Sequence, residues 1–277
     1  MIWHTTRFEI DLALPRVMGI VNVTPDSFSD GGAHADTRRA IAHCEQLLAE
    51  GADILDIGGE STRPGARAVP EAEEVARVLP VVDAAIKLGC PVSVDSRHAA
   101  VMRAVLDRGA DIINDIHALQ APGALAVVAA HPSCGVCLMH MRGSPESMQE
   151  QPEYDDVLAE VSNFLSERSA RLQGLGVAAE RIVLDPGIGF GKSVAHNLAL
   201  LTRQAELLAL GHPLLVGWSR KSTLGAITGR DVAQRGPASL AAALAAVQWG
   251  ARIVRVHDVA ATVDALKVWR AAGLGPR

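Results

Sequence analysis

Polar residues that could do chemistry recur in this sequence directly after short apolar runs. Asp95, Asn114 and Asp185 each follow such a run with no gap. An ionised aspartate accepts two parallel hydrogen bonds, so carboxylates with an amide can recognise a flat heterocycle that presents adjacent N–H donors, such as a 2-amino-4-oxopyrimidine. The first chemistry that these residues suggest is recognition of a heterocyclic ring.

A second group of residues could bind an anion. Arg63, Lys221, Arg255 and His257 are available to neutralise a phosphorylated group, and Asn22 could add an oxygen ligand for a Mg²⁺ ion that keeps most of its waters. A phosphate ester or a pyrophosphate would fit. For any one of these residues a solvated loop position or a helix cap is the simpler interpretation, but that interpretation explains the whole set less well.

Repeated βα units position these residues. Each apolar, β-branched run is followed by a longer segment with helical spacing, which is typical of such units. The predicted strands are Val17–Val23, Asp53–Ile57, Pro91–Val94, Asp111–Asn114, Gly135–Met139, Arg181–Leu184, Pro213–Val216 and Ala251–Val254. The predicted helices include Thr37–Glu50, Pro70–Leu88, His98–Arg108, Tyr154–Leu175 and Pro237–Trp249. Gly51, Gly109 and Gly250 mark matching joints, where a helix ends and a strand begins two residues later.

Eight such units in one linear series predict an α/β fold, a (βα)8 TIM barrel forming a single domain over residues 1–277. The length of 277 residues suits this fold, since such barrels usually need about 250. A doubly wound open sheet uses similar units and is the alternative. In a barrel, the residues just beyond the strands lie at the C-terminal mouth, where enzymes of this architecture place their sites.

The composition argues against several functional classes. A net charge of −5 gives no general electrostatic reason to bind nucleic acid. No apolar run approaches the roughly 20 residues of a membrane span, and the N-terminus lacks the layout of a signal peptide. The four cysteines are predicted to be small buried residues in a reducing compartment. We therefore expect a soluble cytoplasmic enzyme that binds neither nucleic acid nor membrane.

Two local motifs are misleading. PGIGFGKS resembles a phosphate-binding P-loop, but Pro186 stands where the first glycine is needed, and no long helix is predicted directly after Lys192. Cys134 and Cys137 have the spacing of a metal or redox pair, but no second pair exists, and residues three apart on a strand point to opposite faces. Neither motif predicts a site.

Longer strings carry a family resemblance. In order and spacing, and nearly from end to end, the sequence resembles the dihydropteroate synthase family of bacterial folate biosynthesis through MGIVNVTPDSFSDGG, DIGGESTRPGA, PVSVDS, IINDI, LMHMRG, LDPGIGFGKS, GWSRKS and RVHDV. The resemblance implies a (βα)8 barrel and a condensation of 6-hydroxymethyl-7,8-dihydropterin pyrophosphate with 4-aminobenzoate. The expected products are 7,8-dihydropteroate and pyrophosphate. It also implies Mg²⁺, a homodimer and competition by sulfonamides.

The family pattern also implies roles for individual residues. The pterin positions correspond to Asp95, Asn114, Met139, Asp185, Phe190 and Lys221, the pyrophosphate positions to Asn22, Arg255 and His257, and the aminobenzoate positions to Phe28, Thr62, Arg63, Pro64, Gly189, Phe190 and Ser222. The predicted catalytic residues are Asp30, Arg63, Asp95 and Lys221, and the predicted metal ligand is Asn22. An aromatic ring among apolar side chains would bury area, while Ser222 at a predicted helix N-terminus could bind its carboxylate.

The sequence departs from the family strings at a few places. Ser96, Arg97 and His98 follow Asp95 where a threonine and a lysine are common, Trp218 precedes the SRKS segment, and Arg142 stands where glutamine is frequent. None of these changes removes a reacting group. They affect details of the pocket rim and drug sensitivity.

The implied mechanism is a dissociative substitution, in which the bond to pyrophosphate stretches before the amine of aminobenzoate attacks. Two rival functions are considered. A pterin-dependent methyltransferase on the same barrel would need no pyrophosphate site, so Asn22, Arg255 and His257 argue against it. A non-catalytic pterin-binding paralogue is the other, because a fold can outlive its function; the intact first and second loops argue for activity.

Overall fold

A closed barrel of eight parallel strands forms the centre of the computed structural model, which describes residues 1–24, 32–61, 68–144, 148 and 152–274. The barrel strands are β3 Arg16–Asn22, β4 Ile54–Gly58, β5 Val92–Asp95, β6 Ile112–Asp115, β7 Gly135–Met139, β8 Ile182–Asp185, β9 Leu214–Val216 and β10 Ala251–Val256. They pair in chain order, and β10 closes on β3. The predicted TIM barrel is confirmed and the open sheet is wrong.

Helices follow the strands. In the described residues they are α1 Gly32–Ala49, α2 Glu71–Ala85, α3 Ala99–Leu106, α4 Ala124–Ala130, α5 Val157–Gly174, α6 Val194–Thr202, α7 Ser222–Thr228, α8 Gly236–Gln248 and α9 Val259–Ala271. Short 3-10 turns occupy Ile86–Leu88, Ala179–Arg181, Gln204–Leu210 and Val232–Gln234. None of these helices is both long and apolar enough to cross a membrane.

The predicted strand bounds hold to within about two residues, whereas α1 begins at Gly32 instead of the predicted Thr37 and α5 at Val157 instead of Tyr154. Several strands reach one residue further than predicted, so that Asp95, Asp115 and Asp185 form the last residues of β5, β6 and β8. The joint glycines Gly51 and Gly250 both have φ of +98°, a conformation that side chains with a Cβ rarely adopt. The αβ joints read from the sequence are therefore real backbone turns.

Apolar side chains pack on both faces of the barrel sheet, in one layer inside the barrel and in another between the strands and the helices. The interior layer contains Met18, Ile112 and Cys137, whereas Cys134 packs in the outer layer between strands and helices. The two cysteines thus face opposite sides of the sheet, as their spacing predicts, and both are free thiols.

An antiparallel hairpin precedes the barrel and was not predicted. It pairs β1 Ile2–His4 with β2 Glu9–Asp11. Its Trp3 is fully buried in the interior layer, and the indole N–H donates to the carbonyl of Arg181 at 2.9 Å. Because the hairpin precedes β3, it lies at the N-terminal end of the barrel, opposite the mouth. The hairpin closes the bottom of the core.

Replacing Trp3 with alanine is expected to lower the free energy of unfolding by about 3–5 kcal/mol, because a fully buried indole leaves a cavity. Chemical denaturation at a fixed protein concentration measures this. Ile2→Ala in the same strand is the control, since the Ile2 side chain is exposed, and its expected cost is under about 1 kcal/mol. Equal losses for the two variants would show that the hairpin does not seal the core.

Candidate active site

The predicted site residues that the structure describes all line one cleft at the C-terminal mouth of the barrel. They are Asn22, Asp95, Asn114, Met139, Asp185, Gly189, Phe190, Lys221, Ser222, Arg255 and His257. The remaining predicted residues, Phe28, Asp30, Thr62, Arg63 and Pro64, lie outside the described residues. Eight strand ends meet at this mouth, and this brings together residues that are far apart in the sequence.

A buried ionic network forms the floor of the cleft. Arg255 donates from Nε to Asp56 Oδ2 at 2.6 Å and from Nη2 to Asp95 Oδ2 at 2.7 Å. Asp56 also accepts a hydrogen bond from Ser93 Oγ at 2.6 Å and one from Asn114 Nδ2 at 3.2 Å. Because its amide nitrogen is committed to Asp56, the Asn114 side chain has a fixed orientation. One carboxylate therefore positions both an arginine and an amide of the site.

Sequence reasoning missed Asp56. It lies in the middle of β4, with no exposed surface, rather than just beyond a strand. The available signal was a charged residue inside an otherwise apolar strand, which a buried position tolerates only when the charge is paired.

Burial raises the pKa of two carboxyl groups of the cleft, those of Asp95 and Asp185. It raises the pKa of Asp95 to about 7, with Asp56 and Asp115 adding to the effect and Arg255 opposing it. Burial likewise raises the pKa of Asp185 to about 6, although Asp185 Oδ1 accepts the backbone N–H of Gly187 at 2.7 Å. Both groups are poised to ionise near neutral pH. Donors or cations on a ligand would favour their ionised form.

His257 is partly buried beside two arginines of the cleft, Arg220 and Arg255. Burial, together with Arg255 and Arg220, lowers its pKa to about 3. The Ser219 hydroxyl accepts the backbone N–H of His257 at 3.2 Å and lies 2.9 Å from its Nδ1. Ser219 thus contacts both the backbone and the ring of His257 and fixes the orientation of the ring.

Lys221 and Phe190 contact each other at the side of the cleft. Lys221 Nζ lies 4.0 Å from the centroid of the Phe190 ring, a cation–π contact. Burial and Arg255 lower the pKa of Lys221 to about 8, against the opposing effects of Asp185 and Asp95. Because this pKa lies only slightly above neutral pH, an anion bound nearby would favour the protonated form of Lys221.

The P-loop-like segment supports the site without binding phosphate through its lysine. Lys192 is buried, and its Nζ donates to the carbonyls of Gly187 at 2.9 Å and Phe190 at 3.0 Å and lies 2.9 Å from His140 Nδ1. It fixes the turn that carries Gly189 and Phe190. The rejection of a P-loop therefore stands, although α6 does begin two residues after Lys192, contrary to the sequence interpretation.

An apolar wall completes the cleft. Ile116, Met139, Met141, Met148 and Phe190 form one buried cluster. Met139 and Phe190 were predicted, whereas Ile116 and Met148 were missed, because loop residues carry no periodic signal of burial. Flat apolar side chains beside hydrogen-bonding carboxylates suit an aromatic heterocycle.

Comparison with known proteins identifies the family. The family described as "Pterin binding enzyme" matches residues 18–257. A dihydropteroate synthase from Neisseria meningitidis serogroup C is 53% identical over 99% of this chain and 98% of its own length. This chain belongs to the dihydropteroate synthase family. The synthase from Escherichia coli K12 is 50% identical over 94% of this chain and 92% of its own length.

Solved structures of dihydropteroate synthases share the fold. The Xanthomonas albilineans enzyme, solved with 4-aminobenzoic acid, has a TM-score of 0.91 and 52% identity over 97% of this chain and 96% of its own. The Burkholderia cenocepacia enzyme, complexed with 7,8-dihydropteroate, has a TM-score of 0.87 and 49% identity over 98% and 96%. The Yersinia pestis enzyme, in a sulfonamide complex, has a TM-score of 0.93 and 46% identity over 99% of both chains.

Proposed function

We propose that this protein is a dihydropteroate synthase that condenses 6-hydroxymethyl-7,8-dihydropterin pyrophosphate with 4-aminobenzoate, giving 7,8-dihydropteroate and pyrophosphate. The observation that carries the proposal is the convergence of Asp95, Asn114 and Asp185 with Lys221 and Arg255 in one cleft. Relatives of that name, about half identical over nearly the whole chain, support it.

The pterin ring lies against the apolar wall in this proposal. Asp185 and Asp95 accept hydrogen bonds from the ring's N–H groups, and the fixed Asn114 amide adds its oxygen. Met139 and Phe190 cover the faces of the ring, and both are buried. Lys221, between Phe190 and the carboxylates, provides a donor for a ring carbonyl or nitrogen.

The pyrophosphate lies toward β3 and β10. Arg255 supplies charge and His257 a ring N–H donor, and Asn22 borders the same cleft. An amide oxygen fits Mg²⁺, which prefers oxygen donors, keeps several waters and binds substrate phosphates rather than a full protein cage. Asn22 would hold that ion, and when bound the ion would neutralise the leaving group.

The aminobenzoate is proposed to bind at the outer side, beside Gly189, Phe190 and Ser222, where a sulfonamide would compete with it. The helix α7 begins at Ser222, as predicted. Phe28, Asp30, Thr62, Arg63 and Pro64 remain predictions for the same region.

The chemical step is proposed to begin with departure of pyrophosphate. Arg255, held by two carboxylates, and Lys221 stabilise the charge that develops on the leaving group. The amine of aminobenzoate then attacks the methylene carbon. This amine is neutral near pH 7 and needs no strong base.

We further propose a cytoplasmic homodimer. The described cysteines are all free thiols, as expected in a reducing compartment. Exposed apolar residues on the last helices and the 3-10 turn before α8, including Val232 and Val268, are available for a contact between two copies.

A coupled assay of pyrophosphate release tests the proposed reaction. Release is expected only when both substrates and Mg²⁺ are present, and 7,8-dihydropteroate should appear in equal amount. A methyltransferase or a non-catalytic paralogue would bind a pterin but release no pyrophosphate. Release without aminobenzoate at the same rate would identify a hydrolase and overturn the assignment.

A further inference from the structure

Three metal-ligand side chains converge beside the substrate cleft. Glu60 follows β4, Glu74 lies in the first turn of α2, and His98 immediately precedes α3. One ligand atom from each lies within 4.8 Å of the others. His98 Nε2 is 4.0 Å from Glu60 Oε2 and 3.9 Å from Glu74 Oε2, distances too long for hydrogen bonds.

Three atoms of this cluster form no hydrogen bond. Both carboxylate oxygens of Glu74 and Nε2 of His98 are buried and have no hydrogen-bond partner, and Glu74 has no exposed surface. Burial raises the pKa of Glu74 to about 7, and Ser96 and Arg97 only partly oppose this effect. Buried polar atoms are normally satisfied, so three that face one another in this way need an explanation.

The histidine ring is oriented as a ligand would be. His98 Nδ1 lies 3.3 Å from a carboxylate oxygen of Glu71. A carboxylate beside one ring nitrogen places the proton there and turns the lone pair of the other nitrogen outward, as in metal sites. His98 Nε2 thus faces the carboxyl groups of Glu60 and Glu74, and a dication bound among the three would join them.

Glu60 is held in place by other contacts. Arg97 donates from Nε to Oε2 at 3.0 Å and from Nη2 to Oε1 at 3.1 Å, and the backbone N–H of Val69 reaches Oε1 at 3.0 Å. The remaining acceptor capacity of Oε2 is directed toward His98. A dication would then have one fixed carboxylate and two unpartnered groups.

We propose that Glu60, Glu74 and His98 form a binding site for a transition-metal dication of the Zn²⁺ type, separate from the Mg²⁺ site proposed at Asn22. Imidazole with carboxylates suits Zn²⁺ rather than Mg²⁺. Metal–ligand bonds of about 2.0–2.2 Å would require the three side chains to close by roughly 1 Å. The bound ion ties the chain that leaves β4 to the starts of α2 and α3, next to the cleft.

Calorimetry with ZnCl₂ and metal-stripped protein, without substrates, tests the site. One equivalent of Zn²⁺ is expected to bind, with Mg²⁺ giving no comparable signal. His98→Ala and Glu74→Gln should weaken binding at least about 100-fold, since each removes a direct ligand. Glu73→Gln is the matched control, because Glu73 is on the same turn but pairs with Arg77. Asn22→Ala is the control for the proposed Mg²⁺ site. Both variants should bind Zn²⁺ as the wild type does.

A second variant covers the chance that Glu74→Gln does not fold. His98→Lys places an ammonium among the carboxylates, so it should fold cooperatively and lose both Zn²⁺ binding and the rise in Tm that Zn²⁺ causes. Full Zn²⁺ affinity in His98→Lys, or loss of binding in Asn22→Ala, would overturn the proposal. X-ray absorption showing sulfur ligands would also overturn it, whereas one nitrogen with oxygen ligands would support it.

Discussion

Asp185→Asn is expected to weaken binding of the pterin substrate by roughly 100- to 1,000-fold while leaving the fold intact. Two hydrogen bonds to a charged acceptor are worth about 3–5 kcal/mol, and the asparagine amide would present a donor to a ligand donor. The asparagine oxygen can still accept the backbone N–H of Gly187 that Asp185 holds at 2.7 Å. Calorimetric titration with a non-reactive pterin analogue at pH 7.5 measures the change.

The raised pKa of Asp185 also predicts how the stability of this variant compares with that of the wild type as the pH changes. Burial raises the pKa of Asp185 in the folded protein to about 6. As the pH rises from the ordinary pKa of an aspartate to above 6, ionisation of Asp185 therefore lowers the stability of the folded protein. Asp185→Asn removes this cost and should be no less stable than the wild type at pH 8. Asp264→Asn, at an exposed ion pair, is the control for both measurements. Wild-type pterin affinity in Asp185→Asn would contradict the proposed role.

Asp56→Asn is expected to lower kcat/KM at least about 100-fold and the free energy of unfolding by roughly 3 kcal/mol. Loss of one partner from a buried pair leaves the other charge poorly compensated. Here Asp95 retains a 2.7 Å bond to Arg255, which limits the loss. Arg255 and Asn114 both lose the group that orients them, and misplacement by about 1 Å is enough for a 100-fold effect.

Steady-state kinetics and chemical denaturation are the two measurements for this variant. Ser93→Ala is the matched control, because it removes only the neutral donor to Asp56 and should cost about 1 kcal/mol. Near wild-type turnover in Asp56→Asn, with stability reduced, would show that Asp56 has a structural role and does not position the site.

The sequence predicted the site best where a polar residue lies at or next to the end of an apolar strand. Asp95, Asn114 and Asp185 were placed correctly because parallel strands of a barrel all end at one mouth. Their position depends only on strand register, which the apolar runs define.

The remaining features depend on contacts that a linear pattern does not contain. Asp56 is mid-strand, and only the folded barrel shows that it meets Arg255. The hairpin strands β1 and β2 have three residues each, too few for an alternating pattern to stand out. The lowered pKa of His257 results from burial beside Arg255 and Arg220, which no local segment reveals.

The two ion pairs of Arg255 have a consequence for biosynthesis. Arg255 comes from the last barrel strand and holds Asp56 and Asp95, which are 199 and 160 residues earlier in the chain. A nascent polypeptide still missing β10 can form much of its secondary structure, but it lacks the cation that joins those carboxylates. We therefore expect the capacity to bind ligands to arise only when β10 completes the ring of strands, and we expect chains that end before β10 not to bind the proposed substrates.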